Sequence, residues 1–384
     1  MILTKMQAET VKRSIDWYYG QTLSKPLFIV GGVAGAGKSS TISSIINALN
    51  IGHQNVLFAT LTGRAACVLR MKGLNASTIH KTFYNTRAFK GRVFFKKKPF
   101  IPRFISLICL DEFSMIPDDI INDILSFGIP VLASGDPFQL PPIQAVNSYL
   151  SMDSVDVMLT ETMRTDDKSG VLKLSTMIRN GEIPKVGKYG ASRVIDNKKK
   201  LRKLSSYDKI LCWTNKTRRY INYLVRQEKK IKSIYPLKNE TINMLHNNYE
   251  YSINYMDIPI NVINGLECYM TSDAKVGNED SISISCRPKF VKSKAQFKLK
   301  ANKLIYDGYM DKVPDLRDLI GIDIEKERDY IYTDFSYAIS VHASQGGEWD
   351  NVLVLNEMPS NRDEYYMWLY TSVTRAIKSV DILI

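Results

Sequence analysis

GGVAGAGKSS, residues 31–40, constrains this chain more than any other stretch. It follows the apolar run LFIV and precedes STISSIINAL, which has the apolar spacing of a helix. Gly32 to Ser39 fits G-x-x-x-x-G-K-S in the context that gives the pattern a physical meaning, a turn from a buried strand into a helix. Gly32, Gly35 and Gly37 let backbone N–H groups wrap phosphate oxygens, and the helix N-terminus adds donors and a favourable dipole. Lys38 is expected to reach the terminal phosphates, and Ser39 to ligate Mg²⁺, with Ser40 completing the set. A chain built on such a turn should carry a parallel α/β sheet and hydrolyse a nucleoside triphosphate.

Two later strand ends support the same chemistry. ISLICLDEFSM brings Asp111 and Glu112 to the end of an apolar run. Neighbouring side chains point differently, which suits two tasks: Asp111 holds the Mg²⁺ through water, and Glu112 orients or deprotonates the attacking water. The run Ile129 to Ala133 then leads into SGDPFQLPPI. Pro141 and Pro142 exclude a helix or a central strand there. Gln139 is therefore expected on a stiff loop, its amide aimed at the γ-phosphate and sensing whether it is present.

Charge says what else the chain meets. The formal net charge is +13, and it is concentrated: residues 185–238 hold 17 Lys/Arg against 3 Asp/Glu. Two acid-free clusters, Arg87 to Arg103 and Lys289 to Lys303, add seven and six basic residues. Aromatics interleave two of the three clusters (FFKKKPF and KTRRYINYLVR), so the expected partner is a polyanion, most simply nucleic acid. Five cysteines stand singly with no CxxC pair. That argues against a disulfide framework or zinc site and for a reducing, cytoplasmic setting. The start MILTKMQAETVKRSIDW has charges where a signal peptide needs its apolar core, and no run is long enough to span a membrane.

Strand and helix signals alternate over residues 1–160, return over 161–238, and return again over 329–384 with FSYAISV, NVLVLN and VDILI as strands. Short apolar runs separated by helices imply parallel sheets covered on both faces. Between the last two blocks, residues 239–328 read as a small β-rich insert. Residues 84–104 read as a basic, aromatic hairpin with its turn at Gly91.

The ordered set GVAGAGKS, TLTGRAA, STIHKTF, LDEFSM, GDPFQLPP, ETMRTDD, SVHASQGGEWD and YTSVTRA resembles the motif series of superfamily-1 DNA helicases. Within them it is similar to the RecD-like group, and especially to the compact phage helicases of the Dda type. The match runs from about Gln7 to Ile384 and thins over 166–330, where NGEIP, ILCWTN and INGLE carry it. The resemblance implies an α/β fold of two RecA-like parallel-sheet domains with two inserts, a β-hairpin (pin) and a small SH3-like β-rich domain.

It also implies roles for further residues. Gln7 would read the adenine and Glu348 would lie near the nucleotide sugar. Arg164 and Arg375 would reach the γ-phosphate from the second domain, tying hydrolysis to cleft closure. Thr62, Gly63, Arg64, Thr78 and His80 would lie along the bound single strand in the first domain, and His342 and Ser344 in the second. Phe89, Phe94 and Phe95 are the candidates to stack at the fork.

The expected function is an ATP- and Mg²⁺-dependent helicase. It would act as a monomer on single-stranded and fork DNA, with replication or recombination proteins as partners. The resemblance implies 5′→3′ movement and DNA rather than RNA; the residues themselves set neither. The alternative is a single-strand-stimulated ATPase that translocates and needs a partner to unwind. A small-molecule kinase would leave the second motif set and the clustered charge unexplained.

Overall fold

Near-continuous apolar runs are what strands look like when both faces are covered. The computed structural model describes residues 3–71, 73–89, 92–142, 145–162, 169–255, 258–277, 280–309, 330–357 and 362–384. They form two compact units, which meet in sequence near residue 166.

The first unit is built on β1 (Leu27–Gly32), β2 (Val56–Thr60), β3 (Ala76–Thr78), β6 (Leu107–Asp111), β7 (Val131–Gly135) and β8 (Val157–Leu159). The sheet order is β3-β2-β6-β7-β1-β8, and every pairing is parallel. Alternation explains the unbroken runs. Phe28, Val30, Leu107 and Cys109 pack on one face against Trp17 of α1 (Lys5–Gly20) and Ile42, Ile45 and Ile46 of α2 (Lys38–Ala48). Leu27, Ile29, Ile108 and Leu110 pack on the other face, with Phe83, Ile121 and Ile124. Each such side chain, fully buried, contributes roughly 1.5–3 kcal/mol. Parallel strands all end on one edge, so the turns after β1, β6 and β7 lie side by side. The remaining pair, β4 (Tyr84–Phe89) and β5 (Arg92–Lys97), forms a two-stranded sheet of its own. Its root is tied down by Lys98 N–H donating to Phe83 O at 2.8 Å and by Tyr84 Oη donating to Asp123 at 2.8 Å. The turn expected at Gly91 lies outside the described residues.

The second unit begins with α6 (Val171–Arg179), then β9 (Gly187–Tyr189), β10 (Ser192–Ile195), β11 (Lys209–Cys212) and α7 (Asn215–Glu228). Its parallel sheet is completed by β20 (Ala338–Ser340), β21 (Trp349–Leu355) and β22 (Ala376–Leu383), in the order β20-β11-β21-β22-β10-β9. Only the edge strand β9 runs antiparallel among these pairings.

A separate antiparallel sheet is inserted between α7 and β20. It contains β12 (Thr241–Met244), β15 (Glu267–Met270), β16 (Lys275–Val276), β17 (Ser281–Pro288), β18 (Phe297–Asn302) and β19 (Thr333–Phe335). A further pair, β13 (Asn248–Tyr255) and β14 (Ile258–Val262), stands apart from it. FSYAISV, read as one strand, is thus divided between two sheets. Phe335 ends β19, and the chain turns at Ser336-Tyr337 before β20 enters the parallel sheet.

Candidate functional site

The turn after β1 is shaped for an anion. Gly35 and Gly37 both take positive φ, 78° and 77°, where a side chain would strain the backbone. Gly32 is closed to a side chain by space instead: a Cβ there would meet Lys38 Cγ at 2.9 Å. Gly37 is the N-cap of α2 and no side chain caps the helix, so its first-turn N–H groups face the turn unclaimed by a cap. Lys38 Nζ donates to Gly32 O at 2.7 Å and Val33 O at 3.3 Å, folded back over the turn. Ser39 is exposed and Ser40 half-buried beside it.

At the end of β6, two strands from β1, Asp111 Oδ1 accepts from Ser134 Oγ at 2.8 Å and from Glu112 N–H at 3.0 Å. Both bonds fall on one oxygen. Glu112 stands at φ 53°, ψ 44°, a left-handed conformation that a non-glycine residue adopts at a cost of order 1 kcal/mol. The regular strand therefore ends at Asp111, and Glu112 opens the turn that follows.

After β7, Asp136 organises the loop. Its carboxylate accepts Phe138 N–H at 3.1 Å and its carbonyl accepts Gln139 N–H at 3.1 Å. Gln139 is buried; its Nε2 reaches Asp136 Oδ2 at 3.4 Å, while its Oε1 has no hydrogen-bond partner among the described residues. A buried amide oxygen left unmade costs about 1–3 kcal/mol. The uncapped α2 and the glycine cradle supply donors that fit a triphosphate, and the Gln139 oxygen, an acceptor, fits a water beside it.

Gln7 also touches this turn, but through its capping work. Its Oε1 accepts Thr4 N–H at 3.1 Å in a capping box, and its Nε2 donates to Ala36 O at 3.4 Å. Farther along the same sheet edge, Thr62 Oγ1 accepts Ala65 N–H at the start of α3 (Gly63–Met71). Thr78 caps α4 (Ile79–Phe83), and β2 and β3 pair directly, so these two threonines follow adjacent strands. His80 stacks at 4.5 Å between ring centres on Phe95, which is half-exposed, and lies 5.7 Å from Tyr84. Burial holds the His80 imidazole below its ordinary range against the raising influence of Asp119. The side chains of Arg64, Phe89 and Phe94, and all of Arg164, lie outside the described residues.

In the second unit, Arg375 is buried, and its hydrogen bonds among the described residues go to neutral oxygens: Thr371 O at 3.1 Å, Thr374 Oγ1 at 3.3 Å and Gly347 O at 3.4 Å. Glu348 is exposed, next to that Gly347. His342 is half-buried on the short helix Val341–Ser344, its pKa lowered by burial. Ser344 is fully buried, its hydroxyl donating to Val341 O at 2.6 Å, which turns it away from any strand at the surface. Sequence reasoning missed Trp213, at the end of β11, whose ring stands 5.2 Å from that of His342.

Residues 6–200 match the family model described as AAA domain. The chain belongs to the AAA-domain family. Residues 335–383 of this AAA-domain chain match the UvrD-like helicase C-terminal domain, and the pairing is that of superfamily-1 helicases. The ATP-dependent RecD2 DNA helicase of Deinococcus radiodurans is 25% identical over 370 residues, covering 91% of this chain and 46% of the relative. The Uncharacterized protein R530 of Acanthamoeba polyphaga mimivirus is 26% identical over 332 residues, covering 71% and 64%. The AAA-domain chain thus spans about half the length of the first relative and under two-thirds of the second. Among solved structures, the Pif1 helicase from Candida albicans aligns with a TM-score of 0.56 at 16% identity, over 100% of this chain and 94% of that one. The Pif1 helicase from Bacteroides in complex with ADP-AlF3 and ssDNA aligns at 0.55 and 15%, over 99% and 92%. These likenesses establish the fold, two RecA-like parallel-sheet domains.

Proposed function

We propose that this chain is an ATP-dependent DNA helicase that moves 5′→3′ along single-stranded DNA and opens duplex at a fork, acting as a monomer. The observation that carries the reading is the sheet edge of the first unit. A glycine cradle with an uncapped helix, a carboxylate pair and a buried amide oxygen with no partner among the described residues end three neighbouring strands. The relatives and structural neighbours that bear helicase names support the same reading, and its motif series resembles that of the compact phage helicases of the Dda type.

Bound Mg²⁺-ATP supplies the cleavable γ-phosphate and the energy of its hydrolysis. Gly35, Gly37, Lys38, Ser39 and Ser40 would hold the phosphates, with Ser39 and Asp111 at the Mg²⁺. Glu112 orients the attacking water, and Gln139 reports on the γ-phosphate through its stiff loop. Arg375, whose hydrogen bonds among the described residues go to neutral oxygens, is suited to leave those bonds for a phosphate; Arg164 is assigned the companion role by motif alone. Gln7, its amide already engaged on Thr4 and Ala36, would shape the cradle and meet the base from there, with Glu348 near the sugar.

Thr62, Gly63, Arg64, Thr78 and His80 would grip the strand in the first domain, residues 1–160, and His342 in the second, residues 161–238 and 329–384. Ser344 would serve that grip by holding its helix. The hairpin 84–104 would be the pin, with Phe89, Phe94 and Phe95 as its aromatics, and 239–328 the SH3-like insert.

The test is ATP hydrolysis with and without single-stranded DNA, and strand release from a forked duplex, for the wild type, Lys38→Ala and Arg375→Ala. Stimulated hydrolysis reduced roughly 10³-fold or more in Arg375→Ala fits an arginine acting on the transition state. Stimulation without strand release would favour a translocase that needs a partner. Hydrolysis indifferent to DNA would end the helicase reading.

A further inference from the structure

Four tryptophans occur in the chain, and three are sealed: Trp17, Trp349 and Trp368 are 1%, 7% and 0% exposed. Trp213 alone is half-buried. It follows β11 directly, and His342 follows β20, the strand paired with it in register Cys212↔Ser340. Both rings therefore stand at carboxyl ends of adjacent parallel strands, the edge where open α/β sheets take their ligands. Their centres are 5.2 Å apart at 50°, and Trp368 supports Trp213 edge-on from below at 6.1 Å and 80°.

The backbone beneath Trp213 is fixed as firmly as the ring. Glu357 accepts from Trp213 N–H, from Thr214 N–H at 3.0 Å and from Thr217 Oγ1. That carboxylate takes the place of an anion at the start of α7, so the helix end is already served. What the half-buried Trp213 ring offers is a flat, apolar, electron-rich surface beside an imidazole whose pKa burial lowers. Such a face recognises another flat aromatic system and has no charge with which to hold a phosphate.

We infer that Trp213, backed by His342, is a stacking platform for a base of single-stranded nucleic acid on the second unit, an inference that rests on the helicase reading. Stacking of a base on an aromatic side chain is sequence-tolerant, as a translocating protein requires. It also places a base contact, rather than a phosphate contact, on the second unit.

Two measurements on the whole chain separate this inference from its premise. Anisotropy of a fluorescein-labelled oligo(dT) reports binding without reference to tryptophan; intrinsic emission titrated with unlabelled oligo(dT) reports stacking. The wild type should bind, with its tryptophan emission quenched. Trp213→Phe should keep most of the affinity and lose the quenching. Trp213→Ala should lose affinity roughly 5- to 150-fold with the slope of affinity against salt unchanged, because a stack releases no counterions. Thermal melting of both variants monitors folding, and Trp213→Phe keeps the inference testable should the alanine variant unfold. Quenching that persists in Trp213→Phe, or wild-type affinity in Trp213→Ala, would overturn the platform while leaving the helicase reading intact. No anisotropy change in the wild type would overturn both.

Discussion

At the scale of single residues, the site is marked by groups that sit at a disadvantage in the isolated fold. Gln139 buries an amide oxygen with no partner among the described residues, and Glu112 holds a left-handed backbone. Neither helps the fold, so their value must lie with what binds there. Gln139→Leu therefore should separate stability from function. Removing a buried unsatisfied acceptor leaves the melting temperature unchanged or raises it, because Asp136 retains its bond from Phe138 N–H. DNA-stimulated hydrolysis should fall by roughly 10²-fold, the usual effect of deleting one aligned polar group beside the reacting phosphate. A fall in melting temperature with activity kept would reverse that assignment. Much of this cradle was legible in the sequence, since glycines, lysine and serines act through contiguous backbone. Trp213 was not, because the carboxylate that fixes it, Glu357, is 144 residues away in the chain.

At the scale of elements, charge and burial part company on α7. Counted along the sequence, KTRRYINYLVR looks like part of a basic surface. Folded, Arg218, Arg219, Asn222 and Arg226 share one helical face, and all four are buried. Arg218 pairs with Asp334 at 3.1 Å, and Arg226 with Glu240 at 2.8 Å while lying 4.1 Å over the Phe335 ring. A charge count cannot tell which way an arginine faces, and these arginines bind the protein's own carboxylates. The exposed cations of the cluster include instead Lys198, Lys199 and Lys203. Arg226→Ala should destabilise the chain by about 3–5 kcal/mol, since it strands a buried carboxylate. Replacing Lys198, Lys199 and Lys203 with alanine should leave stability within about 0.5 kcal/mol and reduce the salt dependence of DNA binding. Urea unfolding and affinity measured across salt concentrations check both. The strands of the first sheet fared better in the sequence, because two-sided burial writes a continuous apolar run. The division of FSYAISV was hidden, as local pattern carries no trace of a chain passing from one sheet to another.

At the scale of the whole molecule, the inserted antiparallel sheet is fastened to the parallel sheet of the second unit by buried charge. Lys209, at the first residue of β11, is fully buried; it pairs with Glu267 of β15, donates to Ser336 and lies 5.2 Å from the Trp349 ring centre. Lys289, directly after β17, lies 2.9 Å from the same Glu267 oxygen. Burial by itself pushes the Glu267 carboxyl up, but Lys209 and Lys289 together outweigh it and hold the group down at about 2. A folded pKa below the unfolded value means stability that is present above about pH 4.3 and lost as pH falls towards 2. At most about 3 kcal/mol is involved, from the size of the shift. Glu267→Gln isolates the effect, because every other carboxylate titrates alike in both proteins. Near neutral pH the variant should be less stable by about 3 kcal/mol, with the buried Lys209 deprived of its carboxylate. Unfolding free energies measured from pH 7 to pH 2 should then converge below about pH 4.3, the wild type losing what the variant never had. A gap that stays constant over that range would mean that Glu267 acts by packing rather than by charge. The insert would then be held by its apolar contacts alone.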